Sequence, residues 1–318
     1  MNTELTHDVA IIGGGAAGLS AAVALARSLR SVVVVDAGEP RNAPSAGAHN
    51  VLGREGIPPL ELLAAGRQEA EQYGAEIRHD RAVSVRRVDD GFELDLNGGA
   101  TLRVRRLLLA TGLVDELPDV SGVREFWGKS VLHCPYCHGW EVRGQRIGII
   151  GTSPLNMHQA LLFRQLSDDV TLFLHTMPEP DDEAWEQLSA LNIQVVEGTV
   201  QRLGSENDVL KTVVLEGGRE FDVDAVVVGP RFVARADLYE QLGGALTEHP
   251  MGAFIETGPM GQTEIPGVWA AGNANDLSAM VAVASGAGLM AGAAISADLV
   301  MEDTRTAVRA RASVTAAP

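Results

Sequence analysis

Basic side chains are in short supply. Twenty-five Lys and Arg face 42 Asp and Glu across 318 residues, a formal net charge of −17. That balance excludes nucleic acid and anionic membranes as expected partners, because both repel an acidic protein. The opening residues, MNTELTHDVAII, lack the basic and apolar regions of a secretory signal, so a cytoplasmic location is expected. Cysteine is scarcer still, with only Cys134 and Cys137. In a reducing compartment a single pair points to catalysis or metal binding rather than a structural crosslink. One long run lacks charge altogether, residues 277–297. It is long enough to cross a bilayer, but it is mostly Ala, Gly and Ser. Few large apolar side chains make insertion weak, so a helix packed closely on protein or cofactor is expected.

Glycine is abundant, with 35 residues, and its placement is informative. In DVAIIGGGAAGLSAAVALARSLRSVVVVD, residues 8–36, an apolar run ends at Gly13, Gly15 and Gly18. An Ala- and Leu-rich helical stretch follows, then a second apolar run ending in Asp36. The first glycine permits the tight turn, the second admits a pyrophosphate against the backbone, and the third lets helix pack on strand. The helix N-terminus offers N–H groups to the phosphates, and Asp36 is placed to bond a ribose hydroxyl. The length allows two domains, each with its own core.

Both cysteines lie in HCPYCHGW, residues 133–140. Three chemistries share that string. C-x-x-C-H attaches c-type haem, two Cys and two His can ligate zinc, and a dithiol can open and close its own disulfide. The missing export signal weighs against haem. The adjacency of His133 and Cys134 weighs against zinc, because one tetrahedral site is then awkward to close. The residues alone leave all three readings standing.

Three segments decide the matter by resemblance. Besides GGGAAG at 13–18, the chain carries LLLATG at 107–112 and GVWAAGNAND at 267–276. These resemble the three FAD-binding segments of the pyridine nucleotide-disulfide oxidoreductases. With C-x-x-C between the second and third, the order resembles low-molecular-weight thioredoxin reductases. The resemblance implies an α/β fold of two Rossmann-like, three-layer ββα domains. It implies an FAD domain from residues 1–115 and 247–318, with an NAD(P)-binding-like domain at 116–246 carrying the cysteines. It places Gly13, Gly15, Ala16, Ala17, Asp36, Arg41, Asn50, Val83, Thr111, Gly112, Gly272, Asn273 and Val281 at the FAD. Asn273 stands where the family has an Asp bonded to the ribityl chain. Met280 and Val281 replace the family's Arg-Gln pair. No metal is implied.

The second nucleotide site reads as eroded, which puts NADPH in doubt. Its candidate is RIGIIGTSPLNMHQALLF, residues 146–163. Counted from Gly151, the second glycine position holds Ser153 and the third holds Asn156. A side chain at Ser153 crowds the place where pyrophosphate meets backbone. No Lys or Arg occurs from Gln165 to Gln201, while eight acids do. Such a surface repels the 2′-phosphate of NADPH.

At the dithiol, resemblance puts Cys134 and Cys137 at the start of a helix facing the flavin, where a thiol's pKa is lowered. The family's Asp after the second Cys is His138 here, and His133 precedes the first. Histidine titrates near neutrality and accepts a proton from a thiol. Asp276 is placed by resemblance to orient a His or help take that proton, and residues 41–53 are a candidate pocket lining. A kept flavin site, an eroded NADPH site and C-x-x-C-H together resemble the dithiol oxidases of gliotoxin- and holomycin-type antibiotic biosynthesis. The resemblance implies a homodimer in which small-molecule dithiols become intramolecular disulfides and O2 becomes H2O2. The alternative is an NADPH-dependent thioredoxin reductase acting on a protein disulfide.

Overall fold

A computed structural model describes residues 6–315. The chain divides into two compact units. One comprises the residues up to 43, residues 59–114 and those from 232 onward; the other comprises 44–58 and 115–231.

In the first unit β1 (His7–Ile12), α1 (Ala16–Arg27) and β2 (Val32–Val35) form the expected strand, turn, helix and strand. Helix α2 (Pro59–Gln72) leads to β3 (Glu76–Arg78), β4 (Ala82–Val88), β5 (Gly91–Leu96) and β6 (Thr101–Leu109). The sheet order is β3-β2-β1-β6-β5-β4, parallel from β3 to β6 and antiparallel beyond. Val9 and Ile11 of β1 pack on one face, Ala10 and Ile12 on the other. Both faces are covered, so these strands are apolar throughout rather than alternating. Strand β7 (Leu113–Glu116) leads out of this unit.

The second unit begins with α3 (Val123–Phe126), β8 (Val131–Leu132) and the single turn α4 (Pro135–His138). Next come β9 (Ile147–Ile150), α5 (Leu155–Arg164), β10 (Val170–Phe173), α6 (Asp182–Ala190) and β11 (Gln194–Val196). An antiparallel layer, β12 (Val200–Glu206), β13 (Val209–Leu215) and β14 (Glu220–Asp222), precedes β15 (Ala225–Val228). The parallel sheet runs β11-β10-β9-β15-β8. Ile150, Phe173 and Val226 pack toward Val213 and Leu215 of the antiparallel layer. Ile149, Leu172 and Val227 pack toward Ala160, Phe163 and Leu188 of the helices. This is the expected three-layer ββα arrangement.

The chain returns through β16 (Arg231–Ala234), α7 (Asp237–Gln241), β17 (Thr247–His249) and β18 (Gly252–Phe254). Strand β19 (Val268–Ala270) then adds to β6, and α8 (Val281–Thr315) follows. Two boundaries differ from the expected ones. Residues 232–246 belong to the first unit, because Ala234, Leu238 and Tyr239 bury with Val85 and Phe92. Residues 44–58 group with the second unit.

Helix α8 is long and apolar enough to cross a membrane by length and composition. Its small residues have another use in this fold. A Cβ on Gly288 would lie 1.9 Å from the Ala17 carbonyl oxygen of α1, and one on Gly292 would lie 3.0 Å from that of Ala21. Only glycine lets the two helix backbones approach so closely. Farther along α8, Arg105 donates to Glu302 and Asp303, each at 2.6 Å. Gly288→Ala is therefore expected to destabilise the protein by about 1–3 kcal/mol. Gly286 has open space around its missing Cβ, so Gly286→Ala should be neutral or stabilise by up to about 1 kcal/mol. Thermal unfolding of the two variants distinguishes a packed α8 from a free one.

Candidate active site

The first-unit turn is shaped by glycine and left open. Gly13 has φ +108°, and a Cβ there would lie 2.3 Å from the Ala110 carbonyl oxygen. A Cβ on Gly18 would lie 1.9 Å from the Gly13 oxygen, so helix and strand touch through backbone. At Gly15 nothing lies within 4 Å of the position a Cβ would take. Gly15 caps α1 with no side-chain hydrogen bond. No side chain thus occupies the space beside Gly15 at the N-terminus of α1. Asp36 packs its carboxylate against Gly14, at the edge of a cleft that Glu39, His79 and Arg81 also line. A glycine turn with space at Gly15, beside the Asp36 carboxylate that the Gly38 N–H and Arg67 hold in place, fits an adenine dinucleotide.

Other expected cofactor residues fall around this unit. Thr111 donates its hydroxyl to the Arg235 carbonyl at 2.7 Å, and Gly112 adopts φ +70°. The Arg41 guanidinium lies 5.1 Å from the Phe232 ring centroid. Val83 is exposed on β4, and Val281 begins α8. Gly272 starts a short 3-10 turn, Gly272–Ala274, with φ +72°. Asn273 donates its amide to the Asp276 and Ala279 carbonyls, each at 3.0 Å. A carboxylate cannot make those bonds, so the Asn at this family Asp position holds its own loop and offers Oδ1 as an acceptor. Asn50 is the exception in place: it sits in the second unit with φ +59°, donating to the Tyr136 carbonyl at 2.8 Å.

The cysteines lie in the second unit, both partly buried. Their sulfurs are 2.8 Å apart as a reduced pair, with Cys134 capping the single turn α4. One turn of helix carries little macrodipole, so the expected helix-terminus effect on the thiols is small here. His138 Nε2 lies 2.7 Å from Ser45 Oγ, whose hydroxyl donates to the Gly47 carbonyl at 3.0 Å. With the single Ser45 proton given to Gly47, the ring hydrogen is assigned to Nε2, which leaves Nδ1 as the accepting nitrogen. Burial pushes the His138 pKa below the ordinary 6.5, with Glu141 raising it and His49 lowering it. The ring is neutral at neutral pH, the form a base requires. His49 in turn bonds Glu55 at 2.7 Å.

His133 has a different setting. Its Nδ1 lies 3.2 Å from the Val228 carbonyl and 3.1 Å from Gln159 Nε2. Asp276 lies in the first unit, where its carboxylate accepts from the Ser278 backbone and hydroxyl at 2.9 and 2.7 Å. The structure therefore gives His138 a Ser45 partner that the sequence did not reveal. The signal was present: residues 41–53 read as a pocket lining, and Ser45 and His49 fall inside that stretch. Among the described residues no three His, Cys, Asp or Glu groups converge as metal ligands.

The second-unit turn is filled. Asn156, fully buried, accepts at Oδ1 from the backbone N–H groups of Thr152 and Ser153 at 2.8 and 2.9 Å. These are N–H groups of the turn where a dinucleotide pyrophosphate binds in an open Rossmann unit. Ser153 was expected to crowd the site; the side chain that occupies the turn is Asn156. Strand β10 ends toward His175, which adopts φ +48° and accepts from the Val200 N–H at 3.0 Å.

These features define a class. Residues 7–288 match the pyridine nucleotide-disulphide oxidoreductases, and the chain belongs to that family of oxidoreductases, whose members typically bind FAD. Within it the chain is thioredoxin reductase-like. It is 36% identical to "Thioredoxin reductase tcpT" of Claviceps purpurea, over 94% of this chain and 97% of that one. It is 31% identical to "Thioredoxin reductase sirT" of Leptosphaeria maculans, over 91% and 93%. The solved structure titled HlmI superposes with a TM-score of 0.90 at 47% identity, covering 98% of each chain.

The electrostatics around His138 make a directional prediction. Its imidazole should titrate below 6.5 in the folded protein. Glu141→Gln should lower that value further, and His49→Ala should raise it. NMR titration of the His138 ring checks both directions.

Proposed function

We propose that the chain is an FAD-dependent oxidase that closes intramolecular disulfides in small dithiols of natural-product pathways. The observation that carries this reading is the contrast between the two Rossmann turns. The first is open in front of α1, and the second is occupied by the Asn156 amide. A reductase draws electrons from NADPH through the second turn. An oxidase draws them from its dithiol and needs only the first. Likeness to the HlmI structure at 47% identity supports a redox role on dithiols, the coarser part of this reading. The names of tcpT and sirT favour the other reading, a thioredoxin reductase, and the test separates the two.

The pyrophosphate would rest on the backbone of Gly13, Gly15, Ala16 and Ala17, and the ribose on Asp36. Thr111, Gly112, Gly272, Asn273 and Val281, with Arg41 and Val83, complete the proposed FAD site within the first unit. When bound, FAD supplies a two-electron acceptor that returns the cysteine pair to disulfide and hands the electrons to O2, giving H2O2.

The chain's own residues do the rest. Neutral His138 takes the proton of an incoming substrate thiol at Nδ1. The thiolate attacks Cys134 Sγ in the Cys134–Cys137 disulfide, forming a mixed disulfide and expelling Cys137 as thiolate. The second substrate thiol loses its proton and attacks the substrate sulfur of that bond. Cyclic disulfide leaves, and Cys134 is released as thiolate. Two electrons and two protons have then left the substrate. His133, next to Cys134, is a second proton acceptor. The same reading makes the chain a cytoplasmic homodimer, acting on free small molecules rather than on nucleic acid or membrane.

Cys134→Ser and Cys137→Ser should each purify as yellow protein and lose O2 uptake with a small dithiol such as dithiothreitol. Wild type should form one H2O2 per disulfide closed. Undiminished O2 uptake by the double variant would overturn the scheme.

A further inference from the structure

The filled turn does more than exclude a phosphate. Asn156 Oδ1 receives the Thr152 and Ser153 N–H groups, and the Thr152 hydroxyl at 3.3 Å. Backbone N–H groups only donate, so the amide orientation is settled: oxygen toward the turn, nitrogen away. Asn156 Nδ2 then donates to Gln159 Oε1 at 2.7 Å. That contact orients Gln159 in turn, and its Nε2 faces His133. It lies 3.0 Å from the His133 carbonyl, 3.3 Å from the Val228 carbonyl and 3.1 Å from His133 Nδ1. Gln159 is only 8% exposed, and Gly229 leaves room for the pair: a Cβ there would lie 3.0 Å from Asn156 Nδ2.

We propose that the emptied phosphate turn serves as an anchor for His133: Thr152 and Ser153, through Asn156 and Gln159, set its ring orientation and tautomer. Gln159 has two protons and two carbonyls within reach, His133 and Val228. His133 Nδ1 faces the same Val228 carbonyl at 3.2 Å. A lone pair on Nδ1 would oppose the carbonyl lone pairs, whereas an N–H there donates to them. With hydrogen on Nδ1 the ring donates to Val228 while Gln159 donates to the His133 and Val228 carbonyls; a bare Nδ1 would accept from Gln159 but set its lone pair against the Val228 carbonyl. Nε2 is then the ring's accepting nitrogen, on a residue bonded in sequence to Cys134. Three amide dipoles aligned head to tail strengthen one another in the buried interior. Asn156 and Gln159 are positioning residues, and their effect on turnover rests on the dithiol oxidase reading.

The first test needs no variant and no activity. In FAD-loaded protein with 15N-labelled histidine, long-range 1H–15N spectra should show His133 protonated at Nδ1 and bare at Nε2. Protonation at Nε2 instead would overturn the proposal. Gln159→Met keeps the side-chain length and removes the amide, and Asn156→Ala removes the link before it. Each should turn His133 into a mixture of tautomers and lower kcat for dithiothreitol oxidation about tenfold, with flavin content and KM little changed. The double variant should be no slower than the slower single one, since both break one chain. An unchanged His133 spectrum in Gln159→Met also overturns it. Wild type with the expected tautomer but no dithiol-dependent O2 uptake would instead refute the proposed function and leave the anchor standing.

Discussion

Two backbone N–H groups, those of Thr152 and Ser153, are satisfied by the side chain of Asn156 rather than left for a ligand. Much of the chemistry depends on that arrangement. A βαβ turn at a sheet's carboxyl edge offers its N–H groups to whatever anion or acceptor is present. In the first unit glycine at position 15 keeps the turn clear. In the second, an asparagine at the third glycine position folds into it. The same local fold thus carries opposite consequences through the size and hydrogen-bonding capacity of a few side chains. A buried amide is costly unless its donors and acceptors are matched. Asn156 is fully buried, and the bonds at Oδ1 and Nδ2 match it.

The cysteine site follows the same economy of partners. The single turn Pro135–His138 sets the two sulfurs side by side, and Gly139 is required behind it. A Cβ there would lie 2.3 Å from both the Pro135 oxygen and a Leu166 methyl. With so short a helix, the proposed proton handling falls to the flanking imidazoles. His138 is fixed by Ser45 and kept neutral mainly by burial, while His133 is held by carbonyl and amide groups. In the proposed reaction the two rings would present opposite nitrogens as acceptors, Nδ1 of His138 and Nε2 of His133, for the two protons that one substrate gives up.

The sequence disclosed whatever is encoded in local patterns. Gly13, Gly15, Gly18 and Asp36 read directly as strand, turn, helix and strand, because each glycine answers a local backbone demand. The charge-free run 277–297 was legible as a tightly packed helix from its Ala and Gly content, which the Gly288–Ala17 approach explains. The absent glycines at positions 153 and 156 were legible, but not that the Asn156 side chain would occupy the turn. Hidden from the sequence were relations made by tertiary folding. Ser45 meets His138 across 93 positions, and Gln159 meets His133 across 26. The return at 232 was missed because burial of Leu238 and Tyr239, rather than a loop signal near 247, decides it. Asn156 and Gln159 stand one helical turn apart, a spacing that puts two side chains in contact. Their joint role was invisible until the turn they serve was in place.

In the proposed reaction electrons enter from a dithiol and not from a nicotinamide. Anaerobic mixing of the FAD-loaded protein with a small dithiol, and separately with NADPH, separates the two sources. Rapid loss of the yellow flavin absorbance is expected with the dithiol and none with NADPH. Rapid bleaching by NADPH, with the dithiol inert, would contradict it.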